Sequence, residues 1–294
     1  MPDARPIHVL VSFAWLNKLK PDKLDAVMRR IIRPDWNVML DSGAFSNYTQ
    51  GKKVVSFDEY TAFLKRHEGA FWHCIAYDVI GDMVKSEVNV KRMQSMGLDP
   101  VPVFQRSGTT QQLRDMLNNH EVIAIGGISR RSRDKAEQDY LKQVMRIVGD
   151  NKVHMLGLGW HAAKQYRPYS LDCTSPFVTT RYGDIHLWSS RTGWLILSKK
   201  RHAARAGNRY IKPDVERTRL LRSYGLSWTD FMSSDAYKDG GACTVASVRS
   251  WMRHSRLLAQ NDVRFVFALP WTIEAVDSFT TAWNMERKSW GWEQ

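Results

Sequence analysis

Five apolar runs, the last ending at Asp172, each stop on a polar residue or a glycine. Val38, Met39 and Leu40 lead to Asp41, and Ile75, Ala76 and Tyr77 lead to Asp78. Val101–Phe104 leads to Gln105, Ile123–Ile125 to Gly126 and Gly127, and Tyr169–Leu171 to Asp172. Strands of a parallel barrel present their C-terminal ends on one face, so three carboxylates, an amide and a glycine pair would meet there. A single aspartate after a strand is an ordinary helix N-cap; the convergence of three carries the chemistry. Two carboxylates across a sugar's anomeric carbon can run a displacement, one as nucleophile and one as proton carrier. A third carboxylate and an amide can read the edge of a purine-like base. The glycine pair lets backbone N–H groups approach that base with no Cβ in the way.

The elements needed to place these residues are legible as a repeated strand–helix order. Candidate strands are His8–Trp15, Asn37–Leu40, His73–Tyr77, Val101–Phe104, Val122–Ile125, Val153–Leu158 and Tyr169–Leu171. Helical patterns separate them at Pro21–Arg33, Phe57–Glu68, Val84–Met96, Thr110–Asn118 and Arg133–Val148. The strand runs are nearly continuous in apolar character, as expected for strands covered on both faces. This order predicts an α/β fold with a parallel sheet. Seven candidate strands suggest a (β/α)8 TIM barrel, with an open doubly wound sheet as the alternative. Trp194–Leu197 and Phe265–Leu269 both qualify as the eighth strand. The expected division is residues 1–198 for most of the catalytic barrel and 199–294 for a basic, mainly helical elaboration that could complete it.

At the strand ends the residues carry a resemblance. Asp41-Ser42-Gly43-Ala44-Phe45 resembles the Asp-Ser-Gly-Gly-Phe signature of the tRNA-guanine transglycosylase superfamily. Asp172-Cys173-Thr174-Ser175-Pro176, followed by Thr180-Arg181, is similar to that family's nucleophile segment. Val103–Ser107 is similar to its Val-Gln-Gly element, Ile125–Ile128 to its Gly-Gly-Leu turn and Leu156–Gly159 to its Met-Gly-Val-Gly strand end. The motifs stand in the family's order. The resemblance implies a TIM barrel that exchanges guanine in a polynucleotide for a 7-deazaguanine base, with no cofactor. It makes Asp172 the nucleophile and Asp41 the general acid/base. It assigns Asp78, Gln105, Gly126, Gly127, Phe45 and Ser42 to the base site, Phe45 being either a stacking or a buried aromatic. Cys173, pointing the other way along the strand, is expected to be a core thiol. The tRNA enzymes carry a Cys-x-Cys-x-x-Cys…His zinc motif after the barrel. Here only Cys243 lies beyond residue 180, so no metal site is expected. Ala44 stands where the family has a second glycine, which bears on the size of the accepted 7-substituent. The chain's size and basic C-terminal part look more like the viral 7-deazaguanine DNA transglycosylases. DNA is therefore the expected partner and tRNA the alternative. A non-catalytic nucleic-acid-binding subunit and a glycoside hydrolase are further readings.

Charge agrees with a polyanionic partner. Among 294 residues, 43 Lys and Arg oppose 30 Asp and Glu, a formal +13, which is the footprint of a nucleic-acid binder. From Lys199 to Arg222 nine basic residues face only Asp214 and Glu216. Arg181, Arg191, Lys199, Lys200, Arg201, Arg205 and Arg209 are candidate phosphate contacts. Trp188, Trp194, Tyr210, Tyr224 and Trp228 are candidates to stack on bases. His161 and His186 have no assigned role. No apolar run approaches the roughly 18 residues of a membrane span, and the first residues lack a signal-peptide layout. Three scattered cysteines offer no disulfide framework, and a cytoplasmic setting (a host's, if viral) is expected.

Overall fold

A computed structural model describes residues 6–50, 55–127, 135–158, 160–199, 215–270 and 272–291. Eleven strands are present among them. They are β1 (Ile7–Ser12), β2 (Trp36–Asp41), β3 (His73–Ile75), β4 (Pro100–Val101), β5 (Val103–Phe104), β6 (Val122–Ile125), β7 (Lys152–Met155), β8 (Ser170–Cys173), β9 (Asp184–Ser189), β10 (Gly193–Ser198) and β11 (Arg264–Ala268). Nine of them form one parallel sheet in the order β4-β3-β2-β1-β11-β8-β7-β6-β5. The two end strands are consecutive in the chain and separated by Pro102 alone. The Val101 carbonyl accepts from Ala76 N–H on one side, and the Pro102 carbonyl accepts from Ala124 N–H on the other. The sheet is therefore barrel-like and nearly closed. Pro102 breaks the single expected strand Val101–Phe104 in two because it has no N–H to give the ladder.

The chain divides into two compact units. One runs to Cys173 and includes Asn261–Ala268; the other takes Thr174–Gln260 and resumes at Leu269. The division thus falls at Cys173, not near residue 198, and a late strand returns to the first unit. The two candidates for the eighth strand had similar apolar character, and pairing separates them. Arg264–Ala268 lies between β8 and β1 with parallel register, Val266 opposite Asp172 and Val9 opposite Phe267. Gly193–Ser198 instead pairs antiparallel with β9 as a hairpin.

In the first unit, inner and outer faces alternate along each strand. Leu10, Met39, Val122, Ala124, Val266 and Ala268 form an inner cluster. Ile123, Ile125 and Val153 pack outward with Leu113, Val144 and Val148 of the flanking helices. Both faces are dry, which accounts for the continuous apolar runs. Helix starts follow local chemistry. Ser56 with Glu59 and Thr109 with Gln112 form complete capping boxes, and Asp82 caps the helix Met83–Ser95. The expected strand His8–Trp15 ends at Ser12, and Phe13–Leu16 turn into a short buried helix.

The second unit packs the β9–β10 hairpin with helices Val215–Ser223, Trp228–Met232 and Ala242–Ala259 around Ile185, Leu187, Leu221, Phe231 and Cys243. Between the helices Trp228–Met232 and Ala242–Ala259, Asp235–Tyr237 form a short 3-10 turn. Ala236 and Tyr237 are buried there.

Candidate active site

Asp41 and Asp172 sit on strands of the first unit, not after them. Asp41 is the last residue of β2 and is in register with Ser12 of β1. Asp172 is the third residue of β8, opposite Val266. Val266 belongs to the inner cluster, whereas Cys173, one residue on, lies buried beside Phe267 on the outer face. Cys173 is thus a core thiol. The expected strand Tyr169–Leu171 stops short because a charged residue inside a strand has no signature in an apolar pattern.

Asp172 is buried. The backbone N–H of Gly157, in the turn after β7, donates to Asp172 Oδ1 at 2.7 Å. Nε2 of His154, a fully buried residue of β7, lies 3.3 Å from the same oxygen. Two groups from β7 and its turn therefore converge on Oδ1. His154 Nδ1 is 2.8 Å from Ser170 Oγ, its register partner on β8.

Asp41 Oδ2 accepts from Gly43 N–H at 3.1 Å. Gly43 has φ +84°, and a Cβ there would stand 2.7 Å from Ala14 Cβ. Only glycine suits this turn. Burial pushes the Asp41 carboxyl up to about 6, and the Asp172 carboxylate adds to the rise. The Ser12 hydroxyl, the Gly43 N–H and His154 act in the opposite sense. The two proposed catalytic aspartates thus sense each other, and the structure brings them into one site.

Asp78 and Gln105 join it. Asp78 is buried, and Gln105 Nε2 donates to its Oδ2 at 2.8 Å. Gln105 Oε1 accepts from Gly81 N–H, which fixes the amide's orientation. Burial raises Asp78 to about 7, with Asp41 contributing; Gln105 and Ser42 favour its charged form. Ser42 is buried and also accepts from Ala44 N–H at 3.3 Å. Raised, mutually coupled carboxyls in one place are a mark of functional sites. Of the glycine pair, Gly126 already gives its N–H to the Phe104 carbonyl, and a Cβ there would meet Val103 at 2.8 Å. Gly127, exposed and at φ +66°, is the member able to approach a base. Phe45 is 55% exposed, which removes the buried-aromatic reading and leaves a ring accessible for stacking.

Two residues of the site have weak sequence signals. Tyr60, from the helix Phe57–Arg66, donates its hydroxyl to the Ile75 carbonyl at 2.7 Å, with the Leu40 carbonyl at 3.3 Å. It ties together the strand ends that lead to Asp41 and Asp78. His154 is the other: a single imidazole within an otherwise apolar strand was the available clue. His8 and His73 share the inner rows, and burial lowers them to about 3 and about 4.

The candidate phosphate contacts in the second unit are ion-paired or hydrogen-bonded at its surface. Arg181 lies 3.7 Å from Asp239, Arg191 is 2.7 Å from Glu216, and Lys199 donates to Ser234 at 2.8 Å. Exposed pairs of this kind are weak and can be exchanged for phosphate. Lys200, Arg201, Arg205, Arg209 and Tyr210 lie outside the described residues. Tyr224 is a core residue, buried with its hydroxyl on the Trp188 carbonyl. Trp194 packs on Trp251 at 4.5 Å, Trp188 on His254 and Trp228 on Phe231. His186 stacks on Trp251.

Among the described residues no group of three or more His, Cys, Asp or Glu is arranged to hold a metal ion, and no helix is long and apolar enough to cross a membrane. A cleft of about 520 Å³ between helices Met83–Ser95 and Thr110–Asn119 has a mixed polar and apolar lining that includes Glu87, Lys91, Asp115, His120 and Val90; none of the three aspartates lines it. No protein-family model matches the chain, and a search of curated proteins finds no match.

Proposed function

We propose that the chain is a (β/α)8-barrel transglycosylase that exchanges guanine in DNA for a 7-deazaguanine base through a covalent Asp172 intermediate. Counting β4 and β5 as one strand interrupted at Pro102 makes the sheet eight-stranded. The observation that carries the reading is the convergence of Asp41 and Asp172, two buried carboxyls that sense each other. Asp172 has one oxygen held by Gly157 N–H with His154 beside it, which suits a nucleophile. Asp41, raised to about 6 by burial, suits a proton carrier.

In the first step Asp172 Oδ2 attacks C1′ as the C1′–N9 bond of guanine breaks. The bonding pair leaves with the base, which takes a proton from the Asp41 carboxyl. Guanine departs, leaving an ester between Asp172 and an abasic sugar. The 7-deazaguanine then gives its N9 proton to Asp41, its N9 attacks C1′, and the Asp172 carboxylate is released. A carboxyl raised to about 6 serves both directions near neutral pH. Asp78, oriented by Gln105, faces the edge of the heterocycle, with Gly127 and Phe45 beside it. The target nucleotide must be single-stranded or turned out of the stack. The basic surface of the second unit would hold backbone phosphates, and affinity should fall steeply with salt.

The test is incorporation of labelled guanine or 7-deazaguanine, with duplex DNA, single-stranded DNA and bulk tRNA in separate reactions. Label in DNA supports the proposal. Label in tRNA alone would make the chain a tRNA enzyme, and label in no polymer under any of these conditions would refute base exchange.

A further inference from the structure

His154 is a fully buried polar group beside Asp172 that the acid/base chemistry leaves unused. It is fully buried on the inner face, level with Ala124 of β6 and Ser170 of β8. Its neighbours in the inner rows include Leu10, Met39, Val122, Ala124 and Val266. Leucine or phenylalanine would fill such a place without the cost of desolvating an imidazole. Both ring nitrogens point at polar atoms. Nδ1 is 2.8 Å from Ser170 Oγ. Nε2 has no hydrogen bond in donor geometry, and Asp172 Oδ1 stands 3.3 Å from it. Hydrogen bonds of catalytic groups are often long in the free protein and tighten when the site is filled.

We propose that His154 is the positioning residue for Asp172: Nδ1 accepts from the Ser170 hydroxyl, which turns Nε2–H onto Asp172 Oδ1 and leaves Oδ2 facing the substrate. This tautomer follows from the partners, since the hydrogen bond at one ring nitrogen sets the state of the other. Gly157 N–H and His154 then hold the same oxygen from two directions. A carboxylate clamped at one oxygen attacks with the other along a defined line, and small misplacements of a nucleophile are costly. The groups facing His154 are Ser170, Asp172 and, through space, Asp41 and His73. The clamp is a geometric claim about Asp172. Its catalytic consequence rests on the base-exchange reading.

The test compares wild type with His154→Phe, His154→Gln and Ser170→Ala. The His154 ring nitrogens are followed by nitrogen NMR, which reports which of them carries the proton. In wild type the proton should sit on Nε2, toward Asp172 Oδ1, with Nδ1 accepting from the Ser170 hydroxyl. Ser170→Ala, which frees the ring from its anchor, should mix the two tautomers and serves if the phenylalanine variant does not fold. A wild-type proton on Nδ1, or a tautomer unmoved in a folded Ser170→Ala protein, overturns the proposal. Formation of the covalent intermediate should slow about tenfold or more in His154→Phe with KM for the base little changed, and recover in part in His154→Gln. A wild-type protein that exchanges no base would refute the function while the ring tautomer still decides the His154–Asp172 contact.

Discussion

Gly157 donates its main-chain N–H to Asp172 Oδ1 over 2.7 Å, linking the turn after β7 to the neighbouring strand β8. A backbone donor of this kind survives any change of side chain. Asp172→Asn should therefore keep the acceptor, the strand pairing and the binding of DNA. It should lose the nucleophile. Covalent adduct, read as a DNA-shifted band under denaturing conditions, should fall by about a thousandfold or more. Wild-type adduct levels in this variant would remove Asp172 from the nucleophile's role.

Asp78 carries a pH dependence of known sign. Burial raises its carboxyl to about 7, above the value an exposed aspartate has in the unfolded chain. The folded state therefore holds the proton more tightly. The stability this gives is complete below about pH 4 and is lost as pH rises through about 7. Asp78→Asn, which keeps an acceptor for Gln105, should melt higher than wild type at pH 8, by on the order of 3 kcal/mol in stability. The two proteins should converge near pH 4. Melting curves across that range check it, and a constant difference would contradict it.

Gly43 couples the turn to Asp41. A Cβ at this position meets Ala14 at 2.7 Å on a backbone with φ +84°. Gly43→Ala should cost about 1–3 kcal/mol in denaturant unfolding. It should also slow base exchange, because the N–H that holds Asp41 Oδ2 moves. Unchanged stability would show that the helix Phe13–Leu16 yields freely.

Glu286 joins two arginines in the second unit. It is fully buried, accepting from Arg249 Nε at 2.7 Å and Arg253 Nε at 2.9 Å, and Arg249 is itself buried. Removing the carboxylate strands the Arg249 cation. Glu286→Ala should destabilise by about 3–5 kcal/mol in urea unfolding. The double change of Glu286 and Arg249 to apolar residues should recover much of that loss.

What the amino-acid sequence determined by itself was local. Apolar runs of strand length, capping pairs such as Ser56 with Glu59, and polar residues at run ends identify the elements and nominate Asp41, Asp78, Gln105 and Asp172. Those signals live within a few residues of one another, so they can be read in one dimension. The tertiary structure decided whatever depends on pairing between distant segments. Arg264–Ala268 enters the sheet between β8 and β1, whereas the equally apolar Gly193–Ser198 folds into a hairpin; their hydrogen-bond partners distinguish them. The division at Cys173 follows from that late return. His154 looked like one histidine among nine. Only the register of β7 with β8 puts its ring between Ser170 and Asp172. The raised carboxyls of Asp41 and Asp78 are likewise collective, since desolvation and mutual repulsion arise only when separate strands bring the groups together.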